Sequence, residues 1–363
     1  MKKTLVALAV LGSFSIPAFA QSSVTLYGLI DVGYGITNGG DAEGNPGRDG
    51  KFQQLGSARW TSRWGMKGSE DLGNGMKVLF NLEAAFDPET GSDKGGFNRK
   101  AYVGLSGGFG TVLAGRQSAL IDDTISTFSI TGDPNTTAPT YNTGIGSGQR
   151  YSNYDSALTY LSPEFGGFSF GVQYIAKNDL ASAGNQGAGG DKNLFALALN
   201  YNYNKFSIGA SVETKPYSGA SAAWGIGASY DFGSFLISGG YFDSHFKEDG
   251  KGFHLGVMVP VNAWEFGAQI AYNTKAYAGT ETKYGAYYIG GWGGNIYDPN
   301  NYVTYSWDED KKVKPLAWTL FANYNLSKRT TFYAMYGGID SDAKEFLGAS
   351  RKYSVAAGIH HSF

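Results

Sequence analysis

Apolar and polar residues alternate with a period of two over long stretches of this chain. Val24, Leu26, Gly28, Ile30, Val32 and Tyr34 fall on one parity, and Thr25, Tyr27, Leu29 and Asp31 on the other. Met76, Val78, Phe80, Leu82, Ala84 and Phe86 alternate with Lys77, Leu79, Asn81, Glu83 and Ala85. The pattern returns over 206–213, 264–272 and 316–324. In the last stretch Tyr353, Val355, Ala357, Ile359, His361 and Phe363 alternate with small or polar residues. Successive side chains of a strand point to opposite faces, so each stretch predicts a strand with one oily face rather than a helix.

The breaks between these stretches alternate in length. Short ones fall at 70–75, 107–110, 163–167, 203–205, 231–234, 262–263 and 325–329. Long ones fall at about 36–57, 88–97, 118–149, 178–192, 215–221, 244–252, 276–314 and 338–350. Seven short and eight long connections join sixteen strands, and an even count places both chain ends on the short-turn side.

A soluble sandwich would bury the oily faces against one another. Two features favour the inverse, an all-β, 16-stranded antiparallel transmembrane β-barrel. Aromatics stand at the ends of the oily faces, as Trp264 and Tyr272 do, where a lipid band needs its girdles. The opposite faces are too small and polar for a protein core of this size and suit a wet lumen. Composition agrees: aromatics are 15% of residues, Tyr exceeds Phe by 25 to 23, and there are 54 Gly. Tyr suits a membrane–water boundary, and Gly suits tight turns and crowded barrel positions.

Lys2 and Lys3, the apolar run Leu5–Ile16 and the closing Ala18-Phe19-Ala20 read as a secretory signal peptide over residues 1–20, leaving 21–363 as one barrel domain. The apolar run is too short to span a bilayer as a helix. The absence of cysteine excludes a disulfide framework and thiolate metal sites. A formal net charge of −2 argues against a nucleic-acid partner. The four histidines, His245, His254, His360 and His361, form no metal-ligand or nucleophile–base spacing, so no enzyme and no cofactor are expected.

Five stretches resemble the general diffusion porins of Gram-negative bacteria, of the Neisseria and Burkholderia type. They are Ser23–Gly28, the run Gly65–Lys77 with its Lys-Gly-Ser-Glu-Asp-Leu-Gly-Asn-Gly core, Asn98–Leu105 continuing to Gly115-Arg116-Gln117, Ser162–Gly167, and the terminal His360–Phe363. The resemblance implies a homotrimer in the outer membrane, in contact with lipid and lipopolysaccharide. It implies passive passage of small ions and hydrophilic solutes, and a third external loop, about 118–149, that folds inward and constricts the pore. Phe363 resembles the family's signal to the outer-membrane assembly machinery. The alternative is a substrate-specific outer-membrane channel of the same fold.

Parity places Arg59, Arg63 and Lys67 on the lumenal side of one strand and Lys77 on that of the next. The resemblance adds Arg99 and Arg150 to this basic wall and sets loop acids opposite, among Asp122, Asp123 and Asp133. Arg99 shares the outward parity of Ala101, Val103 and Leu105, so it enters the lumen only through a bulge or a frayed strand start. Asn153 stands nearer than Arg150 to the family's spacing from Ser162-Pro163. Arg116 has outward parity and is expected to anchor the loop or an interface. Clustered cations of this kind predict a mild preference for anions, because close charges bias ions without trapping them.

Overall fold

A sheet that closes on itself leaves no unpaired edge. This chain closes through its first strand. The structure, a computed structural model, describes residues 23–36, 51–131, 152–177, 192–215, 221–243, 251–288, 302–346, 349 and 351–363. The elements are β1 (Ser23–Ile36), β2 (Gln53–Gly56), β3 (Arg63–Gly73), β4 (Met76–Ala85), β5 (Lys100–Gly107) and β6 (Gly110–Ser118), then helix α1 (Leu120–Thr127). There follow β7 (Asn153–Leu161), β8 (Phe168–Ile175), β9 (Leu194–Tyr203), β10 (Phe206–Glu213), β11 (Ala223–Asp231), β12 (Leu236–Asp243) and β13 (Lys251–Val261). The chain ends with β14 (Trp264–Tyr288), β15 (Tyr302–Val313), β16 (Leu316–Asn325), β17 (Thr330–Ile339), helix α2 (Ser341–Phe346) and β18 (Tyr353–Ser362).

Sequential strands pair antiparallel around the wall, and β1 pairs β18 on one side and β2 and β3 on the other. The wall has sixteen staves although the described residues form eighteen strands. β2 and β3 share one place beside β1, from Gly35↔Gln53 down to Ser23↔Ser69. β15 leaves the wall: β14 pairs β16 over Trp264–Tyr272 and pairs β15 only beyond, from Ala276 to Tyr288. The expected loop over 276–314 is therefore largely a two-stranded ribbon extending one hairpin of the barrel. All seven short turns fall where the sequence pattern puts them.

Side-chain exposure follows the alternation. Phe266, Ile270, Leu320, Val355 and Ile359 lie exposed on the outside, while Gln269, Ala271, Thr319, Phe321 and Ala356, from the intervening positions, are buried within. The seam is sealed by the terminal residue. Phe363 and Gly28 exchange both backbone hydrogen bonds at 3.1 Å, and the Phe363 ring lies over Gly28, where a Cβ would come within 2.3 Å of it.

Candidate functional site: the lumen

Among the described residues, two inward segments bear on the site. The first is the start of the third long connection, residues 119–131. Its helix α1 has Ile121, Thr124 and Ile125 on one stripe at helical spacing, with Phe128 one turn further on. This stripe faces the inner wall. Ala119, Ile121 and Ile125 share a buried cluster with Tyr154, Ala157, Ile175, Leu194, Ala223 and Phe242. Inner-wall glycines make room for it. A Cβ on Gly227 would come within 2.3 Å of the Phe128 ring, and one on Gly256 within 2.5 Å of Ile130. Polar contacts finish the seat. Gln269 Oε1 accepts from Ile130 N–H at 3.0 Å, Ser238 Oγ donates to Phe128 O at 2.7 Å, and Gln173 Nε2 donates to Ser118 O at 3.0 Å.

The second inward segment is the six-residue link between β2 and β3. Registers Val32↔Gly56 and Leu29↔Arg63 leave two residues of β1, Ile30 and Asp31, facing six residues, 57–62. The surplus cannot lie flat in the wall, and it bulges inward from Ser57, whose φ is 57°. Beneath it Leu55 and Ala58 pack on Phe321, Tyr333, Met335 and Ala356, and Ile130 of the first segment packs against the same cluster.

Between these segments lies a charged wall. Glu83, buried on the inner face of β4, accepts from Arg99 Nε at 2.6 Å and stands 3.9 Å from Arg63 Nε. Arg63 Nη1 also donates to Thr61 O at 3.0 Å. The Tyr27 hydroxyl lies 2.8 Å from both Glu83 Oε2 and Asn81 Oδ1, and the Lys67 ammonium sits 5.1 Å from the Tyr27 ring centre. Lys100 lies within electrostatic reach of Glu83, and Asp123 of α1 within reach of Tyr102 on the same wall. Arg63 and Arg99 keep about 30% of their side chains open to the lumen.

The expected residues meet different fates. Arg63, Arg99 and Lys67 come together on this wall. Arg99 does so from just before β5, through the frayed start that its parity required. Arg59 is inside, but not as a strand residue: it rides on the bulge, where Nη1 donates to Asn323 and the guanidinium lies 4.2 Å from the Trp60 ring centre and 4.6 Å from that of Phe321. At 4% exposure it is packed against the wall rather than solvated in the lumen. Lys77 is inward but six residues along β4 from Glu83, about 20 Å away at strand rise, near a short turn. Asp122 and Asp123 occupy the first turn of α1, where a helix favours acids. Asp133 and Arg150 lie outside the described residues. Asn153 is next to the cluster, its Nδ2 donating to Arg99 O at 2.9 Å. Arg116 forms an ion pair with Asp155 at 2.6 Å and donates from Nε to Asn98 O at 2.6 Å, fastening the base of the third connection. The sequence reading missed Glu83 and Asp31 as parts of the site. Their lumenal parity beside Arg63 and Arg59 was the available signal.

A family model described as Gram-negative porin matches residues 7–344. An outer membrane porin protein of Bordetella pertussis is 32% identical, with all of both chains covered. Outer membrane porin protein 32 of Delftia acidovorans is 30% identical over 99% of this chain and 95% of its own. Among solved structures, an anion-selective porin from Comamonas acidovorans superposes with a TM-score of 0.66 at 22% identity, covering 94% of this chain and all of that one.

Proposed function

The chain belongs to the Gram-negative porin family, and from that premise we propose that its charged inner wall gives the pore a mild preference for anions. The protein is an outer-membrane porin, a water-filled β-barrel through which small hydrophilic solutes and ions diffuse passively. The family and its fold are those of channels.

One observation carries the selectivity. Two half-open arginines, Arg63 and Arg99, share a single buried carboxylate, so cations outnumber acids on that stretch of wall. Two unit charges about 4 Å apart interact by about 1 kcal/mol in bulk water and about 4 kcal/mol near a protein surface. Such energies slow a cation and favour an anion without holding either, as conduction requires. Arg63, Lys67, Lys77, Arg99 and Arg150 form the basic side of this reading, with Arg59 held apart in its packed seat, and Asp122, Asp123 and Asp133 form the acidic side, with the third connection narrowing the pore between them. The neighbour described as anion-selective shares the fold.

The same reading includes a signal peptide over residues 1–20, a homotrimer bordered by lipid and lipopolysaccharide, and recognition of Phe363 by the assembly machinery. Changing Arg63 to Ser is expected to lower the anion-to-cation permeability ratio about two- to five-fold, equivalent to about 0.4–1 kcal/mol. The reversal potential of the purified protein in a planar bilayer under a salt gradient measures this. An unchanged potential removes Arg63 from the selective section.

A further inference from the structure

We propose that Asp31 is a positioning residue for permeation: its buried carboxylate clasps the Ser57–Ser62 bulge against the wall and keeps the Arg59 charge out of the ion path. Asp31 is completely buried. Its Oδ1 accepts from the Tyr333 hydroxyl at 2.7 Å and from Arg59 N–H at 3.3 Å, and its Oδ2 accepts from Trp60 N–H at 3.2 Å. Its backbone holds both ends of the bulge. Asp31 O accepts from Ser57 N–H at 3.0 Å, and Asp31 N–H donates to Ser62 Oγ at 3.0 Å.

Hydrogen bonds to a charged acceptor are shorter and stronger than neutral ones, and here one carboxylate gathers three donors from two elements. The residues it gathers are the surplus that the wall cannot absorb. Without a clasp, a looped-out segment inside a wet lumen has no register to return to. Arg59 follows from this geometry. With the bulge clasped, its guanidinium is sandwiched by Trp60 and Phe321 and tied to Asn323, whose Nδ2 donates to Glu265 Oε2 at 3.2 Å. Asp31 and Glu265 both act on its charge electrostatically. The cation is thus neutralised locally and contributes little to the field that ions cross. Loss of the clasp frees the bulge and removes one of the two carboxylates that act on the Arg59 charge. The cluster beneath the bulge also bears Ile130, so the released segment loosens one end of the third-connection seat.

The inference rests on a water-filled lumen, and its test separates the two. The chain has no cysteine, so Ala58→Cys places one reporter thiol under the bulge, at a residue that is 3% exposed. A membrane-impermeant thiosulfonate should modify this thiol slowly in otherwise wild-type protein and at least ten-fold faster when Asp31→Ala is added. The reversal potential of Asp31→Ala alone should move toward greater anion preference, and Asp31→Ala with Arg59→Ser should return it to the wild-type value. Equal labelling rates together with an unchanged potential would overturn the assignment. Where Asp31→Ala does not assemble, Tyr333→Phe removes one of the three donors and should raise the labelling rate by a smaller factor; an unchanged rate is equally fatal. A failure of the channel reading itself would show as absent conductance in wild-type protein, with the labelling comparison still readable.

Discussion

The two inward segments are held by opposite means. Residues 119–131 sit on an apolar seat spread over β7–β13: Ile121 and Ile125 share one buried cluster, Phe128 lies against Gly209 and Gly227, and Ile130 lies against Gly256. The 57–62 bulge is gathered by one acid, Asp31, which binds its backbone at Arg59 and Trp60, with Ala58 packed beneath. A distributed apolar seat controls shape and is indifferent to charge. A carboxylate clasp controls shape and charge together. The difference teaches that conductance and selectivity of this pore should separate experimentally.

The largest effect is expected from Gly227→Leu. Its side chain would occupy the space of the Phe128 ring, since even a Cβ comes within 2.3 Å. Overpacking of that severity costs about 1–3 kcal/mol or displaces the neighbour. The displaced segment should widen the lumen and carry Asp122 and Asp123 away from the basic wall, raising single-channel conductance by a larger factor than it moves the permeability ratio. A change in selectivity as large as that in conductance would break the distinction drawn between seat and clasp. Asp31→Ala stands second, with its signature mainly in the reversal potential and in labelling of the bulge. The smallest effect belongs to Glu83→Gln, which removes charge and leaves shape. Anion preference should rise about two-fold, or about 0.4 kcal/mol, opposite in sign to Arg63→Ser, with conductance unchanged. A shift in the same direction as Arg63→Ser would mean that Glu83 acts by holding Arg63 and Arg99 in place rather than through its charge.

Much of the wall could be read from the sequence because period-two alternation survives wherever one face meets lipid and the other water. The parity of Phe266, Ile270, Val355 and Ile359 sufficed to place them outside. Parity failed where strands lose register. Arg59 reaches the inside through surplus residues between β2 and β3, so its agreement with strand parity is coincidental. Arg99 contradicts its parity because it precedes the first residue of β5. The ribbon of β14 and β15 was hidden because its alternation carries no lasting oily face, and only pairing across residues 276–313 defines it. Glu83 was in view on a lumenal position, yet an isolated acid on a strand has no sequence signature of its partners. Those partners, Arg63 and Arg99, come from two different neighbouring segments. Composition assigns glycine to tight turns and crowded barrel positions alike, and that the glycines at 209, 227 and 256 form a seat depends on the third connection lying over them.

All of this depends on a barrel that is greasy outside and wet within. Reconstituting the purified protein into a planar bilayer and recording in potassium chloride from low to high concentration tests that arrangement directly. The account predicts discrete conductance steps that grow in near proportion to salt concentration, with anion preference weakening as the screening length falls from about 8 Å at physiological salt to about 3 Å at 1 M. Protein that is folded and inserted yet gives no steps at any salt concentration would contradict it.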